Sequence, residues 1–370
     1  MSDRFLAATR KGLFRVARGA GGWKIDAVRF LGDNVTLVHP DPRDGTLLAA
    51  LDHGHFGVKL HRSADAGNTW KEIAAPAYPA KPSGLEHKDA WGREIDWKLK
   101  LVWAFASGAA GQPGRVYAGT LPGGLFVSDD GGDSWRLNEP LWAVAREKKW
   151  MGGGADQPGI HSISVDPRNA DRIAAGVSCG GVWVTEDGGS TWKNRANGMR
   201  AAYTPPDQAM NPDVQDPHLV VQCPGAPERW WAQHHNGIFR STDDLGSWVE
   251  LQDVRPSPFG FPVAVHPRDG DTAWFVPATK DEKRIPVDGR VVVNRTRDGG
   301  KTFETLSRGL PQEHAYDLVF RHALDIDRSG RRLAFGSTTG SVWVSEDEGD
   351  SWAHVSAHLP PVFAVRFLRE

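Results

Sequence analysis

Cysteine is almost missing from this chain: its 370 residues include only Cys179 and Cys223, so no disulfide framework is indicated. No apolar run is long enough to span a bilayer, and the N-terminal stretch MSDRFLAATRKGLF lacks the apolar core of a signal peptide. An excess of one charge is missing too. The 44 basic and 46 acidic residues give a formal net charge of −2, and no Lys/Arg stripe stands out. That argues against nucleic acid as a partner. Long helical periodicity is also absent. The expectation is a cytoplasmic protein of many short strands, with no membrane partner.

Turn formers and tryptophan are plentiful: 42 Gly, 25 Pro and 16 Trp. They fall into a repeat whose pattern is Ser/Thr-x-Asp-x-Gly-x-Ser/Thr-aromatic. Copies occupy residues 63–70 (SADAGNTW), 128–135 (SDDGGDSW), 185–192 (TEDGGSTW), 296–303 (TRDGGKTF) and 345–352 (SEDEGDSW). A variant at 241–248 (STDDLGSW) has Leu245 in place of the glycine. The Asp carboxylate and the hydroxyl can accept backbone N–H bonds and lock a turn. The Gly permits a positive φ, and the aromatic residue opens the next strand with a large apolar face. A device repeated six times marks a repeat architecture.

The octapeptide resembles the Asp-box, or bacterial neuraminidase repeat (BNR), of sialidases, other glycoside hydrolases, sortilin-type receptors and photosystem assembly factors. These are β-propellers, so the resemblance implies that fold over nearly the whole chain. It also implies that the boxes lie away from the face carrying the ligand site. The chain as a whole is similar to bacterial BNR-repeat glycosyl hydrolases, which implies hydrolysis of glycosidic bonds and a small-molecule or carbohydrate ligand. The motifs of a true sialidase are not reproduced. Arg284-Ile285-Pro286 falls late in the chain rather than before the first box, and no Glu can be assigned to pair with Tyr316 beside Arg321.

Each unit reads as an inner strand ending near a Pro, a second strand, a third strand entering the octapeptide, and a fourth beginning at its aromatic residue. Six complete units start near Asn34, Trp103, His161, His218, Phe261 and His322. The ends are complementary. Phe5 to Ile25 supplies second, third and fourth strands, and Pro361 to Phe367 supplies an inner strand with nothing after it. Joined, they make a seventh blade that removes the free sheet edges. The fold expected is an all-β, seven-bladed propeller spanning residues 1–370 as one domain, its last blade closed by the two termini.

Strand alternation puts the octapeptides on one face, and the second-to-third turns with the interblade links on the other. Three links on that second face are long: 74–100, 139–159 and 197–216. Long loops on a rigid scaffold carry function. Registering the units on the Pro that closes the inner strand puts His161, His218 and His322 at one position. Asn34, Trp103, Phe261 and Pro361 take it in the other units. The second-to-third turns add Arg10, His53, His55, Cys179, His234 and His235, and Arg321 flanks the channel.

Three imidazoles with a carboxylate behind them suit a divalent transition metal, with His161, His218 and His322 as ligands. A polar ligand pocket, or histidines bonded to ordered water, is the other reading of the same ring. Asp33 and Asp216 just precede inner strands and are the candidate catalytic pair for glycoside hydrolysis; Glu86, Asp96 and Asp156 share their face. Trp91 and Trp97 in one long link, and Trp142 and Trp150 in another, are either sugar-stacking platforms or anchors pinning the links. Three functions follow: a glycosyl hydrolase-like propeller, a metal-dependent hydrolase or lyase, or a non-catalytic propeller binding a ligand or a protein.

Overall fold

The computed structural model describes residues 1–153 and 155–368. Seven four-stranded antiparallel sheets form a ring in which each sheet runs from an inner to an outer strand. Blade one consists of Val362–Phe367, Arg4–Thr9, Gly12–Gly19 and Gly22–Arg29 in spatial order. The inner strands of blades two to seven are Val35–Pro40, Leu101–Ser107, Ile160–Val165, Pro217–Cys223, Gly260–Val265 and Leu324–Ile326. The second and third strands are short, nearly continuous apolar runs. Ile173–Val177, Gly181–Thr185 and Ala273–Pro277 are buried throughout. Both of their faces are covered, so the usual in-out alternation disappears. The apolar clusters accordingly lie between neighbouring blades. One joins blades six, seven and one, and another joins blades one, two and three.

The two termini meet as the unpaired strands require. Phe5 pairs with Phe367, Ala7 with Val365 and Thr9 with Val362, and the Arg10 N–H donates to the Pro361 carbonyl at 3.0 Å. Phe5, Ala7, Val362 and Val365 are all buried. The last strand of the chain therefore holds the first, and the ring has no open blade.

All six octapeptides adopt one geometry. The first-position hydroxyl accepts the fifth-position N–H, as in Ser128 with Gly132 at 2.8 Å and Thr185 with Gly189 at 2.9 Å. The Asp accepts the seventh-position N–H and hydroxyl, as in Asp130 with Ser134 at 2.9 and 2.6 Å. Asp130 is thereby held down to about 2 by the hydroxyls of Ser134 and Ser128. The variant copy makes the same bonds: the Leu245 N–H donates to the Ser241 hydroxyl at 3.0 Å, and Leu245 adopts a φ of 67°. The turn thus imposes the left-handed conformation even on a side chain that resists it. Full burial of Leu245 against Val184, Phe239 and Trp248 offsets that strain.

Inner strands carry a bulge at the end that faces the long links. His161 is the extra residue in blade four, His218 in blade five and Trp103 in blade three. Each inserted residue re-aims one side chain, and those of Trp103 and His218 point to the mouth of the ring. In blade two the extra residue is Thr36, and in blade one it is Phe363, rather than the Asn34 and Pro361 expected from the Pro register. In blade two the correction comes from the turn that follows the strand. Arg43 N–H and Nε both bond Asp41 at 2.9 Å, just as Arg168 N–H and Nε bond Asp166 at 2.8 and 2.9 Å. Asp41-Pro42-Arg43 is therefore the equivalent of Asp166-Pro167-Arg168, and Pro42, not Pro40, sets the count.

Two outcomes test this construction. Deleting Val362 onward should abolish the cooperative melt, because blade one loses its inner strand and the ring its closure; an unchanged melting curve would contradict it. Ser128→Ala leaves the Gly132 N–H without its acceptor in a buried turn. It should lower stability in urea by about 1–3 kcal/mol without altering the opposite face.

Candidate functional site

The bulged residues and the long links enclose a cavity of about 910 Å³ on the face away from the octapeptides. Thr36, Trp103, His218, Phe261 and Phe363 project into it from the inner strands, and His322 from just ahead of the inner strand of blade seven. The link 74–100 contributes Ala90 and Trp91, and the link 197–216 contributes Tyr203, Pro205 and Gln208. Asp52, Cys179, His235 and the group Asp281, Glu282 and Arg284 enter from the second-to-third turns.

Its chemical centre is Asp216, one residue before the bulged strand of blade five begins. The side chain is buried, with one oxygen accepting from Ser178 Oγ at 3.2 Å and from the Cys179 N–H at 3.1 Å. Cys179 supplies that N–H from a left-handed backbone, φ 46°, which a side chain resists and which functional turns commonly hold. The other carboxylate oxygen faces His235 Nδ1 at 3.5 Å and His218 Nε2 at 3.8 Å. Burial alone would raise Asp216, but His235 and the neighbouring imidazoles outweigh it and hold the carboxyl well below the usual range.

The three histidines around it differ. Burial pushes His218 down to about 4, against the pull of Asp216. Its Nδ1 bonds the Gly260 carbonyl at 2.7 Å, and its ring stacks on Phe261 with centroids 4.5 Å apart. His234, pushed by burial down to about 3, accepts the Asp216 backbone N–H at 3.1 Å. For His235, burial opposes the charged form, but the adjacent Asp216 wins and its pKa rises. Arg321 completes the floor. Its Nε donates to the His218 carbonyl at 2.7 Å and its guanidinium lies 4.2 Å above the Trp103 ring. Burial pushes it down to about 10, which still leaves it a cation.

The sequence-derived candidates divide across this geometry. Asp216, His218, His235, His322, Arg321 and Trp91 line the cavity. His161 does not. It faces a separate cavity of about 370 Å³ along the ring axis, beneath Arg321 and His322, together with His39, Asp325 and Arg366. His161 Nδ1 bonds Ser162 Oγ at 2.8 Å, and His322 Nδ1 meets Arg366 at 3.3 Å. The set His161, His218 and His322 therefore does not converge. A shared register position gives a shared height, while the different bulge geometry and neighbours of each strand set where the ring points. Among the described residues, the group whose ligand atoms lie within 4.8 Å of one another is Asp216, His218 and His235.

Asp33 stands outside the cavity, 4.0 Å from His53, so it is not beside Asp216. His53 and His55 belong to a 3₁₀ turn in blade two where His55 packs on exposed Phe56. Arg10 is exposed and closes blade one through its backbone. Glu86 and Asp96 are partnered by Lys88 and Lys100 at the surface.

The tryptophans split in the same way. Trp91 is 59% exposed at the cavity rim, with the Arg93 guanidinium 4.4 Å from its ring. Trp97 donates to His87 Nδ1 at 3.1 Å and packs on Trp142. Trp142 sits on a helix, Glu139–Glu147, that was not expected from the sequence; Asn138 caps it by accepting the Leu141 N–H at 2.9 Å. Asn138 ahead of Glu-Pro, with Leu141, Trp142 and Ala145 on one face, was the available signal. Trp142 and Trp150 are 1% exposed and anchor the link. Tyr203, Asp281, Glu282 and Arg284 were missed as site residues. Their only signal was their position in a long link and a long turn.

No protein-family model matches the chain. It is 26% identical over 253 residues to the oligoxyloglucan-reducing end-specific xyloglucanase of Emericella nidulans, covering 67% of this chain and 26% of that protein. An ancestral GH74 enzyme superposes with a TM-score of 0.60 at 17% identity, over 86% of this chain and 38% of the other. YCF48 from Cyanidioschyzon merolae superposes with a TM-score of 0.51 at 12% identity, over 88% of this chain and 87% of that one. The chain thus spans about a quarter of the length of the curated relative it matches. It is a seven-bladed propeller similar to xyloglucanase-type propellers, and the structural likenesses speak to fold alone.

The tryptophan assignments carry a direct test. Trp142→Ala should cost about 3–5 kcal/mol in chemical denaturation, whereas Trp91→Ala should stay within about 0.5 kcal/mol of wild type. Equal losses would mean that Trp91 is an anchor too.

Proposed function

We propose that the protein is a glycosyl hydrolase-like propeller that takes a carbohydrate chain into the 910 Å³ cavity and acts on its glycosidic bonds. One observation carries the reading: a buried, ionised carboxylate, Asp216, lies on the floor of a cavity walled by Trp91, Trp103, Tyr203, Phe261, Phe320 and Phe363. Aromatic faces suit the apolar C–H faces of sugar rings, and the polar floor suits their hydroxyls. Similarity to a xyloglucanase supports the same substrate class, and kinship with the Asp-box propellers is part of the proposal.

Glycoside hydrolysis needs two carboxyl groups with different protonation. Asp216 stays ionised, which fits it to the side of the reaction that bears negative charge. Asp281 and Glu282 line the same cavity, and Asp281 is close enough to bias both His235 and Cys179. They replace Asp33 as the source of the second carboxyl. Arg284 and Arg321 supply donors for ligand oxygens; the Arg284 Nε is itself oriented by Asp281 at 3.0 Å.

The test is release of reducing sugar from xyloglucan and β-glucan oligosaccharides. Asp216→Asn should lower kcat/KM by at least about 100-fold. Trp91→Ala should raise KM by roughly 2–10-fold with little change in kcat. Failure of every such oligosaccharide to be bound would remove the carbohydrate reading. Binding without release would leave a carbohydrate-binding propeller.

A further inference from the structure

We infer that Asp216, His218 and His235 form a binding site for one divalent transition-metal ion, open to the cavity. The first argument is distance. The second oxygen of Asp216 lies 3.5 Å from His235 Nδ1 and 3.8 Å from His218 Nε2. Both gaps exceed the roughly 2.7–3.2 Å of a good hydrogen bond, so the carboxylate is not tightly bonded to either ring. Ligand atoms about 2.1 Å from a common ion stand roughly 3.0–3.4 Å apart. The three donor atoms, all within 4.8 Å of one another, need only a small contraction to meet around it.

The second argument is orientation. His218 Nδ1 is committed to the Gly260 carbonyl at 2.7 Å, which places the proton there and turns the Nε2 lone pair toward Asp216. Metal-binding imidazoles are commonly oriented by such a bond on their other nitrogen. Asp216 is oriented in the same sense, with Ser178 Oγ and the Cys179 N–H on one oxygen and the second left for the imidazoles. The third argument is charge. Asp216 is buried, and no Lys or Arg side chain among the described residues forms an ion pair with it. The groups that compensate its charge are imidazoles and the Arg321 guanidinium across the floor, and a divalent ion would neutralise it directly.

Two imidazoles and one carboxylate favour a borderline divalent ion such as Zn²⁺, Co²⁺, Mn²⁺ or Fe²⁺ over Ca²⁺ or Mg²⁺. All three residues line the cavity, so ligand oxygens from that side would complete the coordination shell. The site shares Asp216 with the carbohydrate reading, but the two are tested separately, because metal binding is read out by the metal alone and sugar release by the oligosaccharides.

The experiment uses the whole protein without a histidine tag, stripped with EDTA and titrated with Co²⁺ and Zn²⁺. One equivalent of each should bind in calorimetry, Co²⁺ should develop visible d–d absorption, and Zn²⁺ should raise Tm. His235→Gln, at a half-buried position on the cavity wall, should weaken binding by about 100-fold or more while keeping the wild-type circular dichroism. His218→Gln should do the same, and His53→Gln, outside the cavity, should leave the titration unchanged. Absence of one-equivalent binding by the wild type would overturn the site. So would undiminished Co²⁺ affinity in folded His235→Gln, or a loss in His53→Gln equal to that in His235→Gln.

Discussion

Each sheet of this molecule has two apolar faces, and only a closed ring can bury both. Blade one has a face against blade two and another against blade seven, and its inner strand is the last strand of the chain. Pairing of Phe5–Thr9 with Val362–Phe367 is therefore the contact on which the other interfaces depend. Without it, one sheet would show an unpaired edge and two neighbours would expose apolar surface. The octapeptides serve the same end locally. Each one satisfies its backbone donors within eight residues and delivers an aromatic ring to a gap between blades, as where Trp135 Nε1 reaches the Ala74 carbonyl of the preceding link at 2.9 Å.

A ring this regular leaves little freedom for chemistry except where the regularity is broken. The bulge near the start of the inner strand is that break. It adds a residue to the inner strands of blades one to five, and the side chain differs among them: Thr36, Trp103, His218 and Phe363 at the mouth, and His161 in the axial cavity. The long links then roof the mouth. The helix Glu139–Glu147, anchored by Trp142, fixes one of them, and Tyr203 brings another against His235 with centroids 4.8 Å apart. Rigid blades and anchored links together hold a buried carboxylate beside two imidazoles.

Charge at the cavity floor is arranged by burial more than by pairing. His218 and His234 are neutral because they are desolvated, His235 is biased toward its charged form by Asp216, and Arg321 keeps its charge over the Trp103 face. Below Arg321 the axial cavity repeats the theme. There burial pushes Asp325 up to about 6 beside Arg366, whose own pKa burial lowers. The two cavities are thus separated by the Arg321–His322 step, which lines both.

The sequence by itself determined the blade count, the strand order, the closing of blade one by the termini, and the face on which the long links lie. These follow from local rules: a turn motif satisfied within eight residues, apolar runs of strand length, and the need to pair every edge. Asp216 and His218 were also legible, because they lie within two residues of each other at the start of one strand. Only the tertiary structure decided which side chains meet. Asp33 and Asp216 both lie just ahead of their strands, yet one faces His53 and the other the cavity floor. His161 and His218 share a register and look into different cavities. Trp91 and Trp97 are six residues apart, one on the rim and one against Trp142. A repeat sets the height of a residue in the ring, but the direction of its side chain depends on the bulge, the link above and the neighbouring blade. Those contacts come from residues far away in the chain, and no local pattern encodes them.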